Sequence, residues 1–256
     1  RTKVVYLGAN DGMLHCFNAS TGEEIWGYIP YNLLLKLKNM WSVDSANNAR
    51  YFTHDVYVDG TPSVADVKIN GAWRTVLVCG QGAGKGSTLA GGGANYYFAL
   101  DVTDPENPIP LWEFTHTYST GSGKKKVTYQ TTGETWSIPV FGRLNDGSGT
   151  WAVFMGSGYD NTSTNTAGNR FYAVRADTGD LIKNYQVANV NTYTALTSSY
   201  RYTDIKATIP GSPSAVDFNK DGYTDYVYYG DLDGRLWRLD ITPSSPSSWK
   251  NDAVYT

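Results

Sequence analysis

The feature that most constrains the fold of this chain is a repeat, a Pro-led strand followed by a polar hairpin. Three copies align without gaps: Pro62-Ser63-Val64-Ala65-Asp66-Val67, Pro139-Val140-Phe141-Gly142-Arg143-Leu144 and Pro213-Ser214-Ala215-Val216-Asp217-Phe218. Each runs through a dipeptide that favours positive φ (Asn70-Gly71, Asp146-Gly147 or Asp221-Gly222) into an apolar strand. Those strands are Thr75 to Cys79, Trp151 to Met155 and Tyr226 to Tyr229. A third strand follows each, with a matching one near the start: Leu14 to Asn18, Tyr97 to Asp101, Phe171 to Arg175 and Leu236 to Asp240. A turn rich in Thr, Gly, Asp or Pro then leads to a fourth segment marked by Trp26, Trp112 or Trp249, or by Leu181 and Ile182 in the third unit.

Short antiparallel strands in repeated groups of four, with an aromatic marker, are the pattern of β-propeller blades, which bury their faces against neighbouring blades. The expected fold is therefore all-β, a propeller with irregular blades and long loop insertions. Its units are expected at about 1–30, 60–116, 137–188 and 211–256. Composition agrees: 27 glycines, 20 tyrosines and only 18% charged residues suit short strands and tight turns better than helices. The first unit lacks its Pro-led strand, and about four blades is the low end for a closed ring. The expectation is a part of a larger ring, with an N-terminal region of the protein outside this sequence.

Irregular insertions are expected over Tyr31 to Asp59, Gly80 to Asn95, Thr117 to Thr135 and Asn189 to Thr208, with one or two helical turns within Asn32 to Met40. A formal charge of −3 leaves no excess of Lys or Arg for neutralising a phosphate backbone, which argues against nucleic acid as a partner. Lys124-Lys125-Lys126 reads as a solvated loop tip. No apolar run approaches the ~20 residues of a membrane-spanning helix. Cys16 and Cys79 lie in apolar strand patterns and read as buried free thiols, with a bridge between neighbouring strands left open.

One hairpin carries ligand chemistry. Calcium takes six or more oxygens, and alternate residues of a tight loop can supply them if a glycine at position six makes the turn. In Asp217-Phe218-Asn219-Lys220-Asp221-Gly222-Tyr223-Thr224-Asp225, positions one, three and five are Asp217, Asn219 and Asp221. Gly222 stands at six, the Tyr223 carbonyl at seven and Asp225 at nine. An EF-hand would place a bidentate Glu at position twelve, where Tyr228 begins a strand, so this is a hairpin variant. The sister hairpins are an internal control. Their equivalent positions are Asp66, Lys68, Asn70, Gly71, Arg74 and Arg143, Asn145, Gly147, Ser148, Trp151, with cations or an aromatic where ligands would stand. The flexible carboxylate and carbonyl set suits Ca²⁺ better than Mg²⁺.

Other signals fail. Gly82-Ala83-Gly84-Lys85-Gly86-Ser87-Thr88 resembles a phosphate-binding loop, but Cys79 and Gly86 occupy the places of the required Gly and Ser/Thr. His15, His54 and His116 show no catalytic spacing, and no nucleophile elbow occurs, so no catalytic residue and no enzyme activity is expected. The loop aromatics Trp41, Tyr51, Phe52, Tyr193, Tyr200 and Tyr202 could offer a contact surface.

With these residues in view, the sequence resembles the C-terminal propeller of the PilY/PilC family of type IV pilus-associated proteins. The matching stretches are Val5 to His15, Val58 to Val64, Ala99 to Pro105 and Asp225 to Gly234, in the family's order. The resemblance implies a secreted protein of the pilus tip, cell surface or outer membrane. It would support pilus extension against retraction, twitching motility and adhesion to host or abiotic surfaces, with pilins and minor pilins as partners. It also implies calcium control at the loop Asp217 to Asp225. No Arg-Gly-Asp occurs, so an integrin contact does not carry over. The alternative is a quinone-dependent dehydrogenase propeller, suggested by Ala19-Ser20-Thr21-Gly22-Glu23-Glu24-Ile25-Trp26, though an adjacent-cysteine pair and a quinone-ligating set are missing.

Overall fold

A computed structural model describes residues 1–43, 46, 50–52, 54–86, 95–123, 126–160, 167–187 and 207–255. Lys124, Lys125, Ser87, Thr88, Tyr193, Tyr200, Tyr202 and most of the predicted insertion at 189–208 lie outside the described residues.

The strands form meandering antiparallel sheets in sequence order. The first holds three strands: β1 (Val4–Gly8), β2 (Leu14–Asn18) and β3 (Glu24–Tyr28). The second holds β6 (Ser63–Ile69), β7 (Ala72–Gly80), β8 (Tyr97–Asp101) and β9 (Ile109–Phe114). The third is β12 (Val140–Arg143), β13 (Trp151–Gly156), β14 (Arg170–Arg175) and β15 (Leu181–Gln186). The fourth is β16 (Ser214–Val216), β17 (Tyr226–Gly230), β18 (Leu236–Asp240) and β19 (Lys250–Tyr255). This is the all-β propeller architecture expected from the repeat.

The apolar runs of β7, β8, β13 and β14 are continuous because both faces of the second and third sheets are buried at these strands. Alternate residues feed different cores. Val76 and Val78 of β7 pack with Val153, Met155, Tyr172 and Val174 of the third sheet, whereas Leu77 and Cys79 pack with Leu14 of the first sheet. The same division recurs one sheet on, where Ala152, Phe154, Phe171 and Ala173 join Val227, Tyr229 and Leu239. Burying such side chains stabilises by about 1.5–3 kcal/mol each. The Trp markers add a directed contact: the Trp26 indole donates to the Pro105 carbonyl at 2.8 Å and that of Trp112 to Ala176 at 3.0 Å, each in the following sheet.

A backbone approach repeats as well. Strand-ending glycines Gly8, Gly80 and Gly156 face the carbonyls of Val58, Thr135 and Ile209, each four residues before a unit's proline. A side chain on any of the three would collide with that carbonyl.

The described residues of two predicted insertions carry more regular structure than expected. Over 31–40 the chain forms single turns around α1 (Leu34–Leu37), whose Leu37 packs on the cluster that holds Tyr57 and Val58. Two small hairpins follow within predicted loops: β4 (Trp41–Val43) with β5 (Arg50–Phe52), and β10 (Thr117–Thr120) with β11 (Val127–Gln130). In the second, alternating Thr and Tyr residues place the rings of Tyr118 and Tyr129 in a stack 5.2 Å apart, the cross-strand pairing that sustains short hairpins.

Candidate metal centre

The loop 217–225 joins β16 to β17, whose register pairs Val216 with Tyr226. The Asp225 N–H closes it by donating to the Val216 carbonyl at 2.9 Å. Within the loop, side chains of alternate residues turn over their own backbone. Asp217 accepts from the N–H of Gly222 at 2.8 Å and of Asp221 at 3.2 Å. Asn219 Oδ1 accepts from the Asp221 N–H at 2.9 Å, and Asp221 Oδ1 from the Tyr223 N–H at 2.9 Å. Asp225 Oδ2 accepts from Phe218 and Asn219 N–H at 2.8 and 3.2 Å. This winding needs left-handed backbone at positions four and six: Lys220 has φ 62° and Gly222 φ 87°. Glycine adopts that region without the steric penalty that a Cβ brings.

Asp217, Asn219 and Asp221 are exposed, while Asp225 is buried. The Tyr223 ring turns away from the loop toward Arg143, whose guanidinium carbon lies 4.5 Å from the ring centroid. Tyr223 therefore offers the loop only its carbonyl. No three His, Cys, Asp or Glu side chains among the described residues group closely as a metal cluster, because the loop's carboxylates are turned onto backbone N–H groups. The donor set nonetheless fits a hard cation in kind, being oxygen throughout: three carboxylates, the Asn219 amide oxygen and a carbonyl.

The sister hairpins are closed by turn backbone and, in one, by a single carboxylate. Asn70 at φ 51° and Gly71 at φ 83° make a two-residue turn between β6 and β7. In the third sheet a single carboxylate, Asp146, accepts from the N–H groups of Ser148, Gly149 and Thr150. Burial alone would raise its pKa, but these bonds and one from the Thr150 hydroxyl lower it.

Residues that the sequence did not group also meet. His15 is 8% exposed and sits between two carboxylates, with Nδ1 2.8 Å from Glu24 and Nε2 3.0 Å from Asp11. Burial pulls its pKa down, yet the hydrogen bonds and charges of Glu24 and Asp11 outweigh burial and raise it. His116, by contrast, has its pKa lowered by burial and by the charge of Arg170. His54 is exposed. Cys16 and Cys79 are buried free thiols; burial pushes Cys16 up to about 11 and Cys79 higher still.

A family model described as the PilY1 beta-propeller domain matches residues 1–255. The chain belongs to the PilY1 β-propeller domain family. It is 35% identical over 241 residues to a type IV pilus biogenesis factor PilY1 of Pseudomonas aeruginosa, covering 94% of this chain and 17% of that protein. A PilY1 homolog of Xylella fastidiosa is 34% identical over 260 residues, covering 100% of this chain and 17% of its own length. The crystal structure of the P. aeruginosa PilY1 C-terminal domain superposes with a TM-score of 0.65 at 30% identity, over 97% of this chain and 44% of that one. The chain thus spans under a fifth of the length of these curated relatives, and it is their propeller that it shares. Membership of the PilY1 propeller family bears out the resemblance drawn from the motifs.

Proposed function

We propose that this chain is a calcium-binding, non-enzymatic propeller module of a type IV pilus biogenesis factor. The observation that carries the metal reading is the contrast between hairpins: only the one in the fourth sheet has oxygen donors at positions one, three, five and nine with left-handed backbone at four and six. Bound calcium would neutralise the carboxylates of Asp217, Asp221 and Asp225 and hold the β16–β17 hairpin in one conformation. Without a twelfth-position Glu, the affinity is expected at the weak end for such loops, about 10⁻⁶–10⁻³ M. That range suits an extracytoplasmic protein at the pilus tip, the cell surface or the outer membrane.

The family names its members as biogenesis factors of the pilus. Pilins and minor pilins are accordingly the proposed partners, with host or abiotic surfaces as the adhesion target. Support of extension over retraction and of twitching motility is the proposed role. No helix among the described residues is long and apolar enough to cross a membrane.

Calorimetric titration of the complete protein with Ca²⁺ tests the metal reading: saturable binding is expected, and Asp221→Ala should abolish it. An unchanged titration after that substitution would refute the site. Piliation and twitching of cells carrying Asp221→Ala test the role. Quinone-dependent dye reduction by the purified protein would replace the non-enzymatic reading with an oxidoreductase one.

A further inference from the structure

Neighbouring sheets meet in a repeating way, and the first sheet carries the same pattern on its outward face. In β7 and β13 the side chains that face the preceding sheet are Leu77 and Cys79, and Val153 and Met155, all fully buried. Counted back from the strand-ending glycines Gly80, Gly156 and Gly8, their counterparts in β1 are Val5 and Leu7. These two are 52% and 57% exposed. Tyr6 between them points the other way, into the core shared with the second sheet. Register pairs Leu7 with His15 and Val5 with Phe17, which puts all four side chains on the outward face. His15 already has a carboxylate at each ring nitrogen, so covering this face would leave its imidazole paired.

A second, independent observation lies in the turn after β2. Asn18-Ala19-Ser20-Thr21-Gly22-Glu23 repeats the form of Arg175-Ala176-Asp177-Thr178-Gly179-Asp180 after β14. The Asn18 N–H donates to the Glu23 carbonyl and the Gly22 N–H to that of Asn18, each at 2.8 Å. Likewise, Arg175 donates to Asp180 at 2.8 Å and Gly179 to Arg175 at 3.0 Å. Gly22 has φ 75° and Gly179 φ 73°. On the third sheet this turn is where Trp112 of the preceding sheet docks. Its indole donates to the Ala176 carbonyl at 3.0 Å, and its ring lies so close to Gly179 that a Cβ there would be 2.7 Å from Trp112 Cγ. Ala176 is accordingly buried. On the first sheet Ala19 and Gly22 are exposed, and among the described residues nothing comes within 4 Å of where a Gly22 Cβ would stand.

The two features together specify a partner: a β-sheet with an apolar face that brings a tryptophan to the Ala19–Gly22 turn. The fourth sheet of a second copy does not supply one, since Trp249 is 6% exposed and its indole donates to Pro243 of its own chain at 2.9 Å. The P. aeruginosa PilY1 C-terminal domain, of which this chain covers 44%, is long enough to hold further sheets. We propose that the outward face of the first sheet receives a further β-sheet of the same polypeptide, outside these 256 residues, whose tryptophan lies against Gly22 and donates its indole N–H to the Ala19 carbonyl.

The test uses the complete protein with the photoreactive residue p-benzoylphenylalanine placed at Leu7 or, in a second variant, at the exposed Ser20. After irradiation and tryptic digestion, mass spectrometry is expected to find an intramolecular cross-link to a peptide outside these residues. The peptide reached from Ser20 should contain a tryptophan, and one without it overturns the dock. A covalent dimer, a cross-link to another protein, capture confined to these 256 residues, or no cross-link at either site overturns the proposal. Gly22→Ala gives a second reading, with Gly147→Ala as its control. Gly147 has φ 82° and likewise nothing within 4 Å of its Cβ position among the described residues. Both substitutions carry the strain of a side chain at positive φ, but only the methyl at Gly22 would meet an indole. The thermal midpoint of the complete protein should therefore fall further for Gly22→Ala, and equal falls overturn the tryptophan contact.

Discussion

The guanidinium of Arg143, at position one of the third sheet's hairpin, stacks over the ring of Tyr223, at position seven of the candidate metal loop. The backbones are joined at the same place, where the Thr224 N–H donates to the Arg143 carbonyl at 2.8 Å. Two sister hairpins are thereby clasped to each other. Because the Tyr223 side chain serves this clasp, Tyr223→Leu keeps the loop's carbonyl while removing the stack. Calcium affinity is expected to hold within about threefold, and stability to fall by about 0.5–1 kcal/mol, the value of a partly exposed cation–π contact. Paired calorimetric and thermal unfolding measurements check this; loss of calcium binding would mean that the ring itself orders the loop.

Calcium should also act locally. A ligand that binds only the folded state at 100 times its Kd stabilises that state by about 2.7 kcal/mol. Loop 217–225 is clasped chiefly to its own strands and to Arg143, so the gain should concentrate there. Hydrogen exchange with and without chelator is expected to change at Asp221, Gly222 and Tyr223, whose N–H groups are bonded to loop side chains. The second sheet should be unaffected. Equal changes across both sheets would point to a global rather than a local role for the ion.

How much of this was legible beforehand follows from what each contact is made of. Runs such as Val76 to Cys79 and Ala152 to Met155 announced strands because both of their faces are buried. The loop's ligands were legible because calcium asks for particular side chains at particular spacing. The glycine approaches were hidden, since the group each glycine faces is a backbone carbonyl, which every residue carries. They also give a prediction with its own control. A Cβ at Gly156 would strike the Ile209 carbonyl, while at Gly230, its counterpart ending β17, the nearest atom would be 3.9 Å away. Gly156→Ala should therefore cost about 1–3 kcal/mol, as overpacking does, and Gly230→Ala almost nothing. Chemical denaturation of the two variants decides it, and equal losses would show that the close approach is relaxed at little cost.

The His15 cluster was hidden for a related reason. Asp11 and Glu24 reach the imidazole only once β2 is paired with β3 and the turn after β1 is closed. With a carboxylate at each ring nitrogen, the doubly protonated imidazolium satisfies both bonds, and the ring stacks on Phe17 at 5.7 Å. The folded-state pKa is raised above the ordinary value of about 6.5. Below pH ~6.5 His15 is protonated in folded and unfolded chains alike, and its stabilisation is fully present. As pH rises through the folded-state pKa, the proton is lost, one ring nitrogen faces a carboxylate with no hydrogen between them, and that stabilisation disappears. His116, with a lowered pKa, contributes in the opposite sense, so the informative quantity is the difference between the wild-type protein and His15→Gln. Across pH 5.5 to 8, that difference in stability should be largest at the acid end and shrink steadily toward the alkaline end. Hydrogen exchange of β1, β2 and β3 at each pH reads it directly. A difference that stays constant with pH would mean that His15 binds its proton equally well in the folded and unfolded chains, so that Asp11 and Glu24 do not favour the charged ring.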